Sequence, residues 1–200
     1  MQAKKPTFLT SAQNINQAPS PIYSEIAFLG RSNVGKSSLL NLLLGTNLAK
    51  SSNTPGKTQL INFFRVEWQK NDEERFPLVL VDLPGFGYAK VSKDLQSQWQ
   101  KNLGEFLEKR TNIKLFLHLR DSRHTALPLD EKVLGFLQHL KNPDQEILTL
   151  YTKADKLNQN AIAKLTSNGA LLTSTEKKSH SKILNASTLR ALILNKTLGI

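Results

Sequence analysis

Between the apolar run IAFLG and the segment LLNLLLG stands GRSNVGKSS, Gly30 to Ser38. Gly30, Arg31, Ser32, Asn33, Val34, Gly35, Lys36 and Ser37 fit the spacing G-x-x-x-x-G-K-[ST], which carries chemistry where a strand hands over to a helix. The glycines let main-chain N–H groups approach phosphate oxygens with no Cβ in the way, and a helix N-terminus adds partial positive charge. Lys36 can then reach the β- and γ-phosphates, and the Ser37 hydroxyl is a hard ligand for Mg²⁺. The spacing predicts a nucleoside triphosphate site.

Two shorter motifs follow in the order such a site needs. Asp82, Leu83, Pro84 and Gly85 (DLPG) close an apolar run; there Asp82 can hold a Mg²⁺-bound water and the Gly85 amide can meet a γ-phosphate. Thr152, Lys153, Ala154 and Asp155 (TKAD) close another. The Asp155 carboxylate is an acceptor pair that matches the N1–H and 2-amino donors of guanine, whereas adenine offers an acceptor at N1 and no 2-amino group. Lys153 can lay its stem over the base, so GTP is expected over ATP. The polar loop ending in TPGKTQ supplies Thr54 and Thr58, either of which can join Ser37 on Mg²⁺ only when the γ-phosphate is present, which is the requirement for a switch. After Gly85 comes Phe86, where Ras-type enzymes use a glutamine to orient water. An apolar side chain cannot do this, and unaided hydrolysis is expected to be slow.

The elements that must position these residues alternate. Strand-like runs at 24–30, 58–68, 76–84, 113–121, 146–153 and, weakly, 182–187 are separated by helix-period segments, among them KSSLLNLLLG, SKDLQSQWQKNLGEFLEKR, PLDEKVLGFLQHLK, NQNAIAKLTSNGALL and TLRALILNKTL. This is the pattern of βαβ units and a mainly parallel sheet covered by helices. Only QKNDEER separates the second and third strands, too little for a crossover, so they should form an antiparallel hairpin. The expected sheet has six strands, mainly parallel, with one antiparallel edge strand. Ser92 is a candidate N-cap, and Pro128 can open a helix whose Asp130 and Glu131 suit the N-terminal dipole. Residues 1–22 are expected to be an N-terminal extension of a single domain, 23–200. Arg120, Asp121, Arg123 and His124 suggest an ion-paired turn more than catalysis, and Trp68 and Trp99 suggest packing. Lys101, Lys109, Arg110 and Lys114 can make a positive rim or a solvated face.

Composition narrows the classes. The chain has 200 residues and no cysteine, which excludes a disulfide framework, a thiolate zinc site and thiol chemistry. Its N-terminus lacks the apolar core of a signal peptide and its longest apolar stretches are strand-sized, so a soluble cytoplasmic protein is expected. The formal net charge is +11 with a pI near 9.9. Such a balance favours a polyanionic partner, RNA or an anionic membrane face, through phosphate neutralisation and counterion release.

Together GRSNVGKS, TPGKTQ, DLPGFGYA, DSRH and TKAD resemble the EngB (YihA/YsxC) family of bacterial translation-associated P-loop GTPases, over about residues 20–187. The resemblance implies a three-layer α/β P-loop GTPase fold and a monomeric GTP/GDP switch acting in large ribosomal subunit assembly, with a ribosomal precursor or rRNA as partner. It also implies a need for the protein in normal division septum formation. By the family's pattern Thr58 is the Mg²⁺ threonine, Gly56, Lys57, Thr58, Gln59 and Leu60 line the nucleotide, and a short motif after the last strand touches the guanine O6; its place is taken here by Asn185, Ala186 and Ser187, with ILNKTLGI a second candidate several residues on. Asn33 resembles the asparagine with which related GTPases help bind K⁺, a cation that stabilises the transferring charge. Two other functions compete with this one: a nucleotide-gated adaptor of the division apparatus with little RNA affinity, and a constitutive basic RNA-binding module.

Overall fold

A computed structural model of the chain describes residues 1–49, 60–86, 93–176 and 180–200, the side chains of 93–100 excepted. Thr54, Gly56, Lys57, Thr58, Gln59, Ser92 and the Trp99 indole therefore lie outside the described residues. Among the described residues eight strands form one sheet: β1 (Gln2–Ala12), β2 (Glu25–Gly30), β3 (Ile61–Gln69), β4 (Arg75–Asp82), β5 (Ile113–Asp121), β6 (Glu146–Thr152), β7 (Leu172–Thr173) and β8 (Ile183–Leu184). The helices are α1 (Lys36–Leu44), α2 (Lys93–Lys109), α3 (Pro128–Leu140), α4 (Gln159–Ser167) and α5 (Ala186–Leu198).

Across the sheet the order is β1-β3-β4-β2-β5-β6-β7-β8. The β3–β4 hairpin is antiparallel as the short connection requires, and β2 pairs in parallel with β4 and β5. Two expectations are corrected. The described residues form eight strands and not six, and the reversed strand β3 is not the edge, because β1 covers it in antiparallel register from Gln2↔Gln69 to Ala12↔Ile61. Residues 2–12, read from the sequence as part of an extension, belong to the sheet. A register shift between Lys4 and Thr7 accommodates Pro6, which has no N–H to give to a ladder. Phe8 sets its ring edge-on against Phe64 at 5.5 Å, which anchors the outer strand.

Alternation along the strands divides the core in two. Ile26 and Phe28 face a cluster with Leu39, Leu40, Leu43 and Leu44 of α1 and Leu189, Ile193 and Leu194 of α5. Ala27 and Leu29 face the other side, with Phe106 and Leu107 of α2 and Leu137 of α3. Three layers result. Trp68 is fully buried in the first cluster, as a packing aromatic should be. Arg110 belongs to no positive rim: its guanidinium is buried and bonded twice to Glu25, at 2.9 and 2.6 Å. Lys109 and Lys114 pair with Glu105 and Asp144.

Candidate nucleotide site

The phosphate loop runs from the end of β2 into α1. A Cβ at Gly30 would stand 2.8 Å from Val34 Cγ1 and 3.1 Å from Leu119 Cβ, so the turn requires glycine there. Gly35 enters α1 at φ 98°, and Asn33 takes φ 61°, a left-handed conformation asparagine tolerates. No side chain caps α1 and no acid sits in its first turn, which leaves its first N–H groups to an external anion. Lys36 reaches from that turn to Asp82 at the end of β4, and the pair is largely buried. Ser37, the second helical residue, is half-buried beside it.

The DLPG segment lies directly against the loop. Leu83 and Pro84 are buried, and a Cβ on Gly85 would come 3.1 and 3.2 Å from Ser32 N and Cα. Phe86 N–H donates to Gly30 O and Ser32 N–H to Phe86 O, each at 3.2 Å, so Arg31 and Phe86 form a short parallel bridge. A larger residue at Gly85 would open that zipper.

TKAD reaches the loop from the other side. The Thr152 hydroxyl is 2.5 Å from Val34 O and 3.1 Å from Arg120 O. Lys153, at φ 57°, donates to Asn33 O at 2.5 Å and pairs with Asp121 at 3.0 Å. Asp121 is itself clamped by Arg123 through Nε at 2.9 Å and Nη2 at 2.8 Å, so DSRH is the ion-paired turn expected. Burial opposes ionisation of Asp121, but hydrogen bonds from Arg123 and Lys153 outweigh it and hold the carboxyl well below the usual range. Ala154 is buried; Asp155 accepts the Ser174 hydroxyl at 2.7 Å and pairs with Lys156 at 3.0 Å. Burial raises the Asp155 pKa less than Ser174 and Lys156 lower it, and the group stays a carboxylate acceptor.

The structure thus brings together residues 30–37, 82–85 and 152–155; Leu60, half-buried, immediately precedes β3. Asn185, Ala186 and Ser187 stand at the entry to α5. Asn185 caps α5 by accepting from Thr188 N–H, Ala186 is the first residue of that helix, and Ser187 Oγ accepts from the Met1 amino group at 2.7 Å. Asn185 and Ala186 do line, with Ser174, a cleft of about 540 Å³. Ser174 belongs to none of the motifs quoted above. Its sequence signal is the small hydroxyl immediately after ALLT, concealed because the apolar spacing of NQNAIAKLTSNGALL is that of one helix; α4 stops at Ser167, Gly169 turns at φ 80°, and β7 follows.

A second polar layer lies behind the loop. The Asp130 carboxylate, in the first turn of α3 and fully buried, stands 3.3 Å from Arg31 Nε. On β5, Arg120 Nη1 bonds Glu131 at 2.5 Å, and His118, fully buried, lies 6.4 Å from the Phe86 ring. Burial pushes the His118 imidazole down to about 4, with the Arg120 charge adding to the effect and Glu131 opposing it.

A family described as 50S ribosome-binding GTPase matches residues 25–153. A probable GTP-binding protein EngB of Campylobacter lari is 59% identical over 175 residues, covering 86% of this chain and 87% of that protein. One from Helicobacter hepaticus is 48% identical, covering 100% of this chain and 98% of that protein. Among solved structures, a probable GTP-binding protein engB aligns with TM-score 0.62 at 23% identity over 88% of this chain and 100% of that one. Era in complex with MgGDPNP and nucleotides 1506–1542 of 16S ribosomal RNA aligns with TM-score 0.59 at 24% identity, covering 86% of this chain and 56% of that one.

An α/β sheet that delivers a Walker-type loop, a DLPG turn and a TKAD turn to one edge is a P-loop GTP-binding domain, and the protein is a GTPase. The close relatives narrow this further: the chain belongs to the EngB family of GTP-binding proteins.

Proposed function

We propose that the protein is a guanine-nucleotide switch that engages a precursor of the large ribosomal subunit in its GTP state and leaves after hydrolysis, with its requirement in septation following from that role. The observation that carries the nucleotide half is the joint between phosphate loop and base site: Thr152 and Lys153 bond the carbonyls of Val34 and Asn33, while Asp155 keeps an ionised carboxylate for the guanine edge. The ribosomal half is supported by the description of the matching family and by the net charge of +11. Such a role places the protein in the cytoplasm; among the described residues no helix is long and apolar enough to cross a membrane.

Hard oxygen donors fit Mg²⁺. Ser37 would ligate it directly and Asp82 through water, in the manner of a metal held by one carboxylate and the substrate phosphates. Thr58 would complete the set when the γ-phosphate is present. Mg²⁺, when bound, supplies neutralisation of the developing phosphate charge. Lys36 turns from Asp82 to the β- and γ-phosphates, and the Gly85 amide meets the γ-phosphate. Phe86 orients no water; K⁺, if held near Asn33, which is exposed in the loop, or the ribosomal particle would supply the charge stabilisation that these residues lack.

Calorimetric titration with GTP, GDP and ATP, followed by co-sedimentation with large-subunit precursors across a salt series, tests both halves. We expect guanine nucleotides alone to bind, particle affinity to be higher with a non-hydrolysable GTP analogue than with GDP and to fall steeply with salt, and hydrolysis to be faster in KCl than in equimolar NaCl. Equal affinity for ATP sinks the nucleotide reading. Sedimentation indifferent to nucleotide sinks the ribosomal one and favours the division adaptor. Equal turnover in KCl and NaCl, with and without particles, removes the K⁺ role.

A further inference from the structure

Asp130 is a carboxylate with no exposed surface, placed on α3 and not on the nucleotide motifs. An acid in the first turn of a helix needs no burial to benefit from the dipole, and the neighbouring Glu131 does so while exposed. Burying a carboxylate is costly unless a partner compensates it, and an apolar residue of similar volume stabilises a core as well or better. Stability alone therefore explains the residue poorly. What Asp130 faces is specific: Arg31 Nε at 3.3 Å from the phosphate loop, and the charge of Arg120 from β5, whose own bond goes to Glu131.

Arg31 is the residue whose main chain bridges Phe86, next to the close contact of Gly85 on Ser32. A force on the Arg31 side chain is thus a force on the zipper between phosphate loop and DLPG. We propose that Asp130 is a positioning residue: through Arg31 it anchors that zipper to α3 and so sets how well the Gly85 amide meets a γ-phosphate. The proposal rests on the assignment of Gly85 to the γ-phosphate made above. Because GDP lacks that group, loosening the anchor weakens binding of the triphosphate and spares the diphosphate. By reciprocity, filling the γ-site bears on α3 through the same pair.

The test uses Asp130→Asn, which keeps the side-chain shape, and the double variant Arg31→Gln/Asp130→Asn, which leaves no lone buried ion. Wild type and both variants are titrated calorimetrically with GDP and with a non-hydrolysable GTP analogue in Mg²⁺ buffer, with thermal midpoints measured alongside. Analogue affinity is expected to fall by about 5- to 20-fold in Asp130→Asn while GDP affinity changes by less than about 2-fold. The double variant is expected to lose no more than the single one, as two members of one link should. Equal losses for both nucleotides, or no loss, overturn the proposal. Failure of both variants to fold assigns the pair to stability and overturns it too. Wild-type protein that binds neither nucleotide fails the underlying assignment instead, and is seen in the control titration before any variant is compared.

Discussion

Thr152 joins the two halves of the nucleotide site with one hydroxyl, set between the carbonyls of Val34 and Arg120. Thr152→Val keeps the volume and removes the link, leaving a buried carbonyl unpaired. It should cost about 1–3 kcal/mol of stability and weaken guanine nucleotides by about 10-fold, with Thr152→Ser restoring both, measured by denaturant unfolding and calorimetry. Asp155→Asn replaces one acceptor with a donor that, in the proposed base site, would face the guanine N1–H and amino group. GTP affinity should fall by about 100-fold or more; a variant that binds GTP normally would remove Asp155 from base recognition. These residues were legible because their motifs fix type and spacing within a few positions. Ser174 was not, since a single serine gains meaning only from the strand before it, and β7 has two residues. Asp130 was legible as a dipole partner and its burial was not, because nothing in PLDEK distinguishes the acid that points inward from the one beside it.

At the scale of elements, the buried polar layer between β5 and α3 gives the fold a pH dependence. His118 is neutral in the native state because burial holds its pKa near 4, while in an unfolded chain the group titrates near 6.5. Between those values the unfolded state binds more protons, so stability rises with pH across the window, is complete above about 6.5 and is lost as pH falls toward 4. The full difference amounts to about 3 kcal/mol. Denaturant midpoints at pH 4.5 and 7.5 should differ by less in His118→Leu than in wild type; an unchanged difference would show that other groups carry the acid sensitivity. The element boundaries that held were those with two signals in agreement. β5 spans 113–121 as expected from an apolar run bounded by TN and SRH, and α3 opens at Pro128 with its acids in the first turn. The boundary that failed, α4 against β7, had apolar period and breaker in conflict: Leu171 and Leu172 continue the helical spacing beyond a glycine that ends it.

For the whole molecule, β1 was the least legible part. An edge strand with solvent along one side keeps Lys4, Lys5 and Pro6 on it, which discourages pairing with another chain, and the same residues make the segment look like a tail. Deleting residues 1–12 exposes the outer edge of β3 and the face of Phe64. We expect the truncated protein to lose several kcal/mol of stability, on the order of 3–5, and to aggregate on concentration; size-exclusion chromatography and thermal melting check this, and a monomer of unchanged midpoint would show that the strand is dispensable.

Arg190, on α5, is nine-tenths buried and donates to the carbonyls of Leu42 and Leu43 at the end of α1 and to that of Met1. One guanidinium near the carboxyl end therefore fastens a residue at the amino end and the helix that follows the phosphate loop. During synthesis that fastening waits until α5 has left the exit tunnel, so a nascent chain already long enough to build the central sheet still lacks its last clasp. Nucleotide affinity gained late in elongation, and not when TKAD emerges, is the kinetic signature such a clasp would leave.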